Sequence, residues 1–247
     1  MSAELVGKVS EVWRYPVRSM RGERLDRVAA GEGGVAGDRA FGVIDAETGQ
    51  EAQVADRRAW HRLLELAARF PDPEALTVAE LTFPDGALRR SDAEDLPRML
   101  SEYLGTKVAL RQDGSDGSSF VRAYDFAPLH LLTTATLARL AAAHPDGRFA
   151  PQRFRPNFVI ATPDAAGFLE DMWIGAELAV GSELRLRVTE PCKRCVTTTV
   201  AQDDLPKDPD ILKSVVRENQ ANAGVYAAVL RGGTVREGDG VEVIHGS

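Results

Sequence analysis

The chain has 247 residues, 44% hydrophobic and 27% charged, an ordinary balance for a globular protein with room for one large domain or two small ones. A net charge of −7 argues against a nucleic-acid partner, and no apolar run approaches the ~20 residues that span a bilayer, which argues against a membrane one. The opening MSAELVGKVSEVW lacks the pattern of a secretion signal, so a cytoplasmic setting with reduced cysteines is expected.

Residues 6–17 read as a strand rich in Val, Trp and Tyr, ending at a proline and the basic stretch 18–22. A second strand is expected over 24–30, then the glycine-dense turn GEGGVAGDR, then a third strand over 40–45. The opening third therefore reads as a β meander. Over 56–70 the apolar period becomes helical, with Trp60, Leu63, Leu64, Ala67 and Phe70 on one side and prolines to stop the run. Strands over 75–83 and 107–111 flank a short helix at 95–104, closed by Gly105. The segment 113–120, DGSDGSSF, is the most linker-like, and it places a boundary between domains at 1–115 and 116–247.

In the second half a helix should begin at Thr133 or Thr134, either a good N-cap, and end at Pro145. A basic turn leads into a strand at 157–161, and 183–188 alternates cleanly before the only two cysteines. Asp208 and Pro209 signal the start of a helix reaching about residue 220, and strands near 225–230 and 241–244 close the chain. Strands outnumber helices, and the helices do not alternate regularly with them. The fold class expected is mostly β (α+β): an antiparallel or mixed β-barrel with peripheral helices and a smaller β-rich N-terminal domain. GEGGVAG lacks the spacing of a dinucleotide fingerprint.

Cys192 and Cys195 are spaced C-x-x-C, which admits a dithiol couple, half of a zinc site, or one thiolate on another metal. The four histidines offer no second ligand pair for zinc, and the β-branched run CVTTTV opposes the helix start that a thioredoxin-type couple wants. Lys193 and Arg194 flank the thiols and favour a thiolate; a small buried hydrophobe with a bystander fits the composition equally well. A second constellation suits an anion: Arg18 and Ser19 after a strand, Arg39 after a glycine turn, the Thr133/Thr134 helix start, and Arg153, Arg155 and Asn157 entering a strand. Each also has an ordinary role as a surface cation or a cap.

Six separated stretches, YPVRSMRG, GDRAFGVID, PLHLLTTATL, RFRPNFVI, PCKRCVTTTV and VREGDGVEV, resemble the MOSC family in order and cover nearly the whole chain. The resemblance is to its two-part members, with a β-barrel N-terminal domain before the MOSC domain. It implies a molybdenum cofactor (Mo-molybdopterin), with Cys195 as the catalytic protein ligand to the metal and Cys192 as a non-ligating neighbour. It implies that Arg18, Ser19, Arg39, Thr133, Thr134, Arg155 and Asn157 hold pterin and phosphate, with Arg194 beside the thiol. The implied activity is reduction of N-hydroxylated or related N-oxygenated small molecules, with electrons from a separate donor protein. The alternative is a sulfur-carrier or cofactor-delivery protein that forms a cysteine persulfide. The chain departs from the family pattern at Arg18, where a lysine is common, and after the cysteines, where AQDDLPKDP replaces the usual acidic-Thr-Gly continuation.

Overall fold

A computed structural model describes residues 2–115, 127–162 and 166–245. Its centre is a barrel of seven strands, in the order Phe158–Ala161, Leu129–Thr133, Asn222–Arg231, Leu184–Lys193, Glu177–Val180, Gly240–His245 and Ser2–Arg14. The circle closes because Ser2–Arg14 also pairs with Phe158–Ala161, Val12 opposite Phe158 and Lys8 opposite Ala161. Leu129–Thr133 and Phe158–Ala161 run parallel, and the other barrel pairs are antiparallel. The mostly-β expectation holds.

A β-bulge between Val9 and Glu11 lets Val9 and Val12, three apart, face the same interior, where they are buried with Leu131, Phe158, Leu186, Val225 and Val241. The two edges of the first strand find their partners in the second half of the chain, Phe158–Ala161 on one side and Gly240–His245 on the other. The opening third is therefore a meander only in part: Val12–Arg14 pairs antiparallel with Glu23–Leu25, and Arg27–Gly31 with Gly34–Val35, but the remaining strand pairings are long-range. Arg27–Gly31 pairs with Gly233–Arg236, and Phe41–Asp45 pairs with Val108–Gln112.

A second core gathers residues of 17–108 with Val200 from the second half; Trp60, Leu63, Leu64, Leu81, Leu96 and Leu100 are buried together there. The helix expected over 56–70 is instead a 3-10 helix, Arg58–Glu65, followed by a strand, Ala67–Arg69. Its last third is captured by pairing: Arg21 N–H donates to Leu66 O, Ala68 N–H donates to Arg21 O, and Ala67–Arg69 pairs with Glu80–Thr82. Tertiary hydrogen bonds overrode a local helical period. The Leu96–Leu104 helix ends at Gly105 in the left-handed region, as its sequence requires. Thr133 caps the Thr134–Ala143 helix, accepting from Thr136 N–H. Asp210–Asn219 starts two residues later than the Asp-Pro signal because Pro209 is the cap and Asp208 accepts from Asp210 N–H. Residues 116–120 of the expected linker lie outside the described residues. No described helix is long and apolar enough to cross a membrane.

Candidate functional site

The site is assembled where the chain leaves the first strand. Arg39 N–H donates to Tyr15 O (2.7 Å), Phe41 N–H to Pro16 O (3.0 Å) and Arg18 N–H to Phe41 O (2.8 Å), so residues 15–18 and 39–41 lie side by side. Ser19 and Arg39 thereby reach the mouth of a cavity of about 460 Å³. The same cavity is lined by Arg155, which ends the one-turn helix Pro151–Phe154, and by Lys193, Arg194 and Cys195 at the end of the Leu184–Lys193 strand. Ser19, Arg39 and Arg155 have φ of 62°, 56° and 56°. Side-chain-bearing residues adopt that region at a cost, and three of them lining one cavity mark a backbone held by its surroundings for its site.

Tyr15 is the hub. Its ring lies beneath two guanidinium groups, Arg155 at 4.2 Å and Arg39 at 5.3 Å from its centroid. Its hydroxyl donates to Pro156 O (3.2 Å), and burial pushes the phenol well above its ordinary range. Asp38, its side chain only 6% exposed, braces the group: one carboxylate oxygen accepts from Tyr15 N–H (2.7 Å), the other from Arg39 and from Asn157 Nδ2 (3.1 Å). Arg155 donates to Met20 O and makes no ion pair among the described residues. Burial, with Arg39 and Arg194 nearby, depresses its guanidinium to about 10. Burial opposes charge on Arg39 most strongly, but Asp38, together with Tyr15 and Tyr226, outweighs it and holds that guanidinium above its ordinary value. Arg18 pairs with Glu51 at 2.9 Å.

The two cysteines have opposite environments. Cys192, on the strand, is 1% exposed, and its sulfur accepts from Arg194 Nη1 (2.6 Å). Arg194 also donates to Phe154 O and lies 5.6 Å over the Phe154 ring. Cys195 is exposed at the cavity wall, its thiol donating to Thr197 Oγ1 at 3.3 Å. The run after it winds into a 3-10 turn, Val196–Thr199, despite its β-branched residues, because Thr198 N–H and Oγ1 both donate to Cys195 O. Among the described residues no three of His, Cys, Asp and Glu cluster as a metal cage. A metal at Cys195 would therefore take its other ligands from a bound group.

Of the residues expected from sequence, Cys195, Arg18, Ser19, Arg39, Arg155 and Arg194 line this one cavity. Thr133, Thr134 and Asn157 do not, and the reasons are specific. The helix start at Thr133 already holds a carboxyl group of the chain's own: Glu170, fully buried, accepts from Thr133 Oγ1 (2.5 Å) and Thr136 Oγ1 (2.8 Å). Burial raises the Glu170 carboxyl despite those bonds. Thr134 Oγ1 accepts from Thr162 N–H (2.9 Å). Asn157 stands behind the wall, its Oδ1 accepting from His130 N–H and its amide nitrogen holding Asp38.

Sequence reasoning missed Asp38, Tyr15 and His130, although each lies in or beside a stretch already singled out. His130, buried on the cavity wall, has Nε2 3.3 Å from Ala223 O and its ring 5.8 Å from that of Tyr226. Burial pushes its pKa down to about 3, so it is a neutral imidazole at physiological pH. The cavity thus joins an exposed soft sulfur, a cluster of cations with one carboxylate among them, and a neutral ring. That set fits a ligand that is anionic at one end and metal-bearing at the other.

The sequence matches the model of the MOSC domain over residues 119–242 and that of the MOSC N-terminal beta barrel domain over residues 6–119. Mitochondrial amidoxime reducing component 2 of Homo sapiens is 33% identical over 130 residues, a match covering 47% of this chain and 37% of that protein, well under half its length. The protein of the same name from Rattus norvegicus is 25% identical over a 286-residue alignment covering 96% of this chain and 83% of that one. Among solved structures, the YuaD protein from Bacillus subtilis superposes with a TM-score of 0.56 at 13% identity, covering 98% of this chain and 97% of that one, a likeness of fold.

Proposed function

The chain belongs to the MOSC family in its two-part form, and on that premise we propose that it is a molybdenum cofactor-dependent reductase of N-hydroxylated or related N-oxygenated small molecules. The observation that carries this reading is the contrast between the cysteines: one thiol faces a cation-lined cavity and the other is sealed beneath it.

The residues present fit the group. Arg39 and Arg155, spread over one ring, offer planar donors to a phosphate, and Ser19 adds a hydroxyl to the same cavity. Among the described residues the buried Arg194 Nε has no hydrogen-bond partner, an unsatisfied donor on a residue that lines it. Cys195 would be the metal's protein ligand, soft and charge-donating once ionised. When bound, the cofactor supplies two-electron redox chemistry suited to oxygen-atom removal. Everything else falls to the chain. Asp38 and Tyr15 keep the two arginines apart and aimed, and Thr197 can turn its hydroxyl to donate to the Cys195 sulfur. His130 presents a ring that does not take up a proton near neutrality. Electrons would come from a separate protein, and the setting proposed is the cytoplasm, where both thiols stay reduced. The names of the relatives, amidoxime reducing components, support the substrate class.

The test is molybdenum content after expression in a host that makes the cofactor. Wild type and Cys192→Ala should retain metal, and Cys195→Ala should lose it. Equal molybdenum in wild type and Cys195→Ala overturns ligation by this sulfur. A sulfane sulfur on Cys195 in metal-free protein would favour a carrier role instead.

A further inference from the structure

Arg153 is the arginine of the RFRPN stretch that does not line the cavity, and its surroundings are unusual. It is 0% exposed, yet among the described residues it has no carboxylate partner. Its guanidinium donates only to backbone carbonyls: Nε to Arg148 O (2.8 Å), Nη1 to Thr198 O (3.1 Å) and Val200 O (3.4 Å), Nη2 to Pro206 O (2.6 Å). A buried cation held by carbonyls alone is costly to desolvate, and a stretch needing only apolar filling would not use one. Three of its four acceptors lie in the irregular segment after Cys195. Thr198, whose carbonyl Arg153 holds, uses its own N–H and hydroxyl to hold Cys195 O. On its other side Arg153 belongs to the short helix that ends at Arg155 and carries Phe154, the platform of Arg194. One guanidinium therefore fixes the thiol-bearing turn against the two cavity arginines.

We propose that Arg153 is the positioning residue of this site, a clamp that sets the Cys195 turn relative to Arg155 and Arg194 and keeps Cys192 sealed. The role rests on the reading of Cys195 as the working thiol, but its test needs no metal. Native protein is alkylated with iodoacetamide and the modified cysteine is mapped by mass spectrometry. In wild type Cys195 reacts and Cys192 is protected. In Arg153→Ala the modification of Cys192 should quicken by about tenfold or more as the turn opens locally. Added guanidinium ion, filling the vacated place, should restore protection. Val241→Ala, which weakens the barrel interior, a core that includes no residue of 192–206, should leave the selectivity unchanged. Wild-type selectivity in Arg153→Ala overturns the proposal. So does equal exposure of Cys192 in Val241→Ala, or exposure that guanidinium does not reverse. Should Arg153→Ala fail to fold, Arg153→Lys keeps the charge but cannot span four carbonyls. It should give an intermediate rate, and full protection there overturns the clamp. Loss of molybdenum binding by itself leaves this result untouched, so the two readings fail separately.

Discussion

Replacing Arg155 by Met separates a binding role from a structural one. Its guanidinium is held at about 10, against an ordinary value above 12; at ~1.4 kcal/mol per pKa unit, carrying that charge costs roughly 3 kcal/mol. The sign follows from the depression: the folded state holds this proton less tightly, so the cost is fully present below pH ~10 and fades only above it. Met removes that cost, but it also removes a charged hydrogen bond to Met20 O, worth ~1.5–3 kcal/mol, and a cation–π contact worth ~0.5–2. The terms nearly cancel. Arg155→Met should therefore change unfolding free energy by less than about 2 kcal/mol, whereas breaking a buried ion pair costs ~3–5. What it should lose is the response to anions. Inorganic phosphate at ~100 times its Kd stabilises by ~2.7 kcal/mol, or roughly 5–10 °C in Tm for a chain of this size. Thermal denaturation of both proteins across a phosphate series is the assay. A large loss of stability in the variant, with equal phosphate protection in both, would refute the reasoning.

The remaining predictions concern groups around the same cavity. Gly224 has φ of +81°, and a Cβ there would sit 2.2 Å from His130 Nε2 and 2.5 Å from Leu131 O, so Gly224→Ala should cost ~2–4 kcal/mol in urea denaturation. His130, with its folded pKa near 3, contributes stability that is complete above its unfolded value near 6.5 and is lost as pH falls toward 3. His130→Gln should accordingly flatten the pH dependence of unfolding between pH ~6 and 4, and an unchanged slope there would contradict the burial argument. Asp38→Ala leaves Arg39, Asn157 Nδ2 and Tyr15 N–H without their shared acceptor; it should cost ~3–5 kcal/mol and weaken phosphate protection together, whereas Asp38→Asn should lose less stability.

The sequence by itself determined much of this molecule, because many of its signals are local. Gly105 must end a helix, Thr133 must cap one, and alternation over 183–188 must make a strand; each is decided within a few residues by backbone sterics and hydrogen bonding. Six of the expected site residues could likewise be named, since arginines beside turns and a C-x-x-C pair are visible without coordinates. Long-range pairing decided the rest. No local rule says that the first strand closes a barrel formed by the second half, or that Leu66 and Ala68 exchange a helical future for hydrogen bonds to Arg21. Nor could spacing tell that Glu170, 37 residues beyond Thr133, would fill the helix start reserved for a phosphate. Which cysteine faces the cavity is a matter of strand register. Cys192 lies on the buried side of the last paired residues, and Cys195 comes after the ladder ends, where its carbonyl turns the chain and its sulfur is left to the open side.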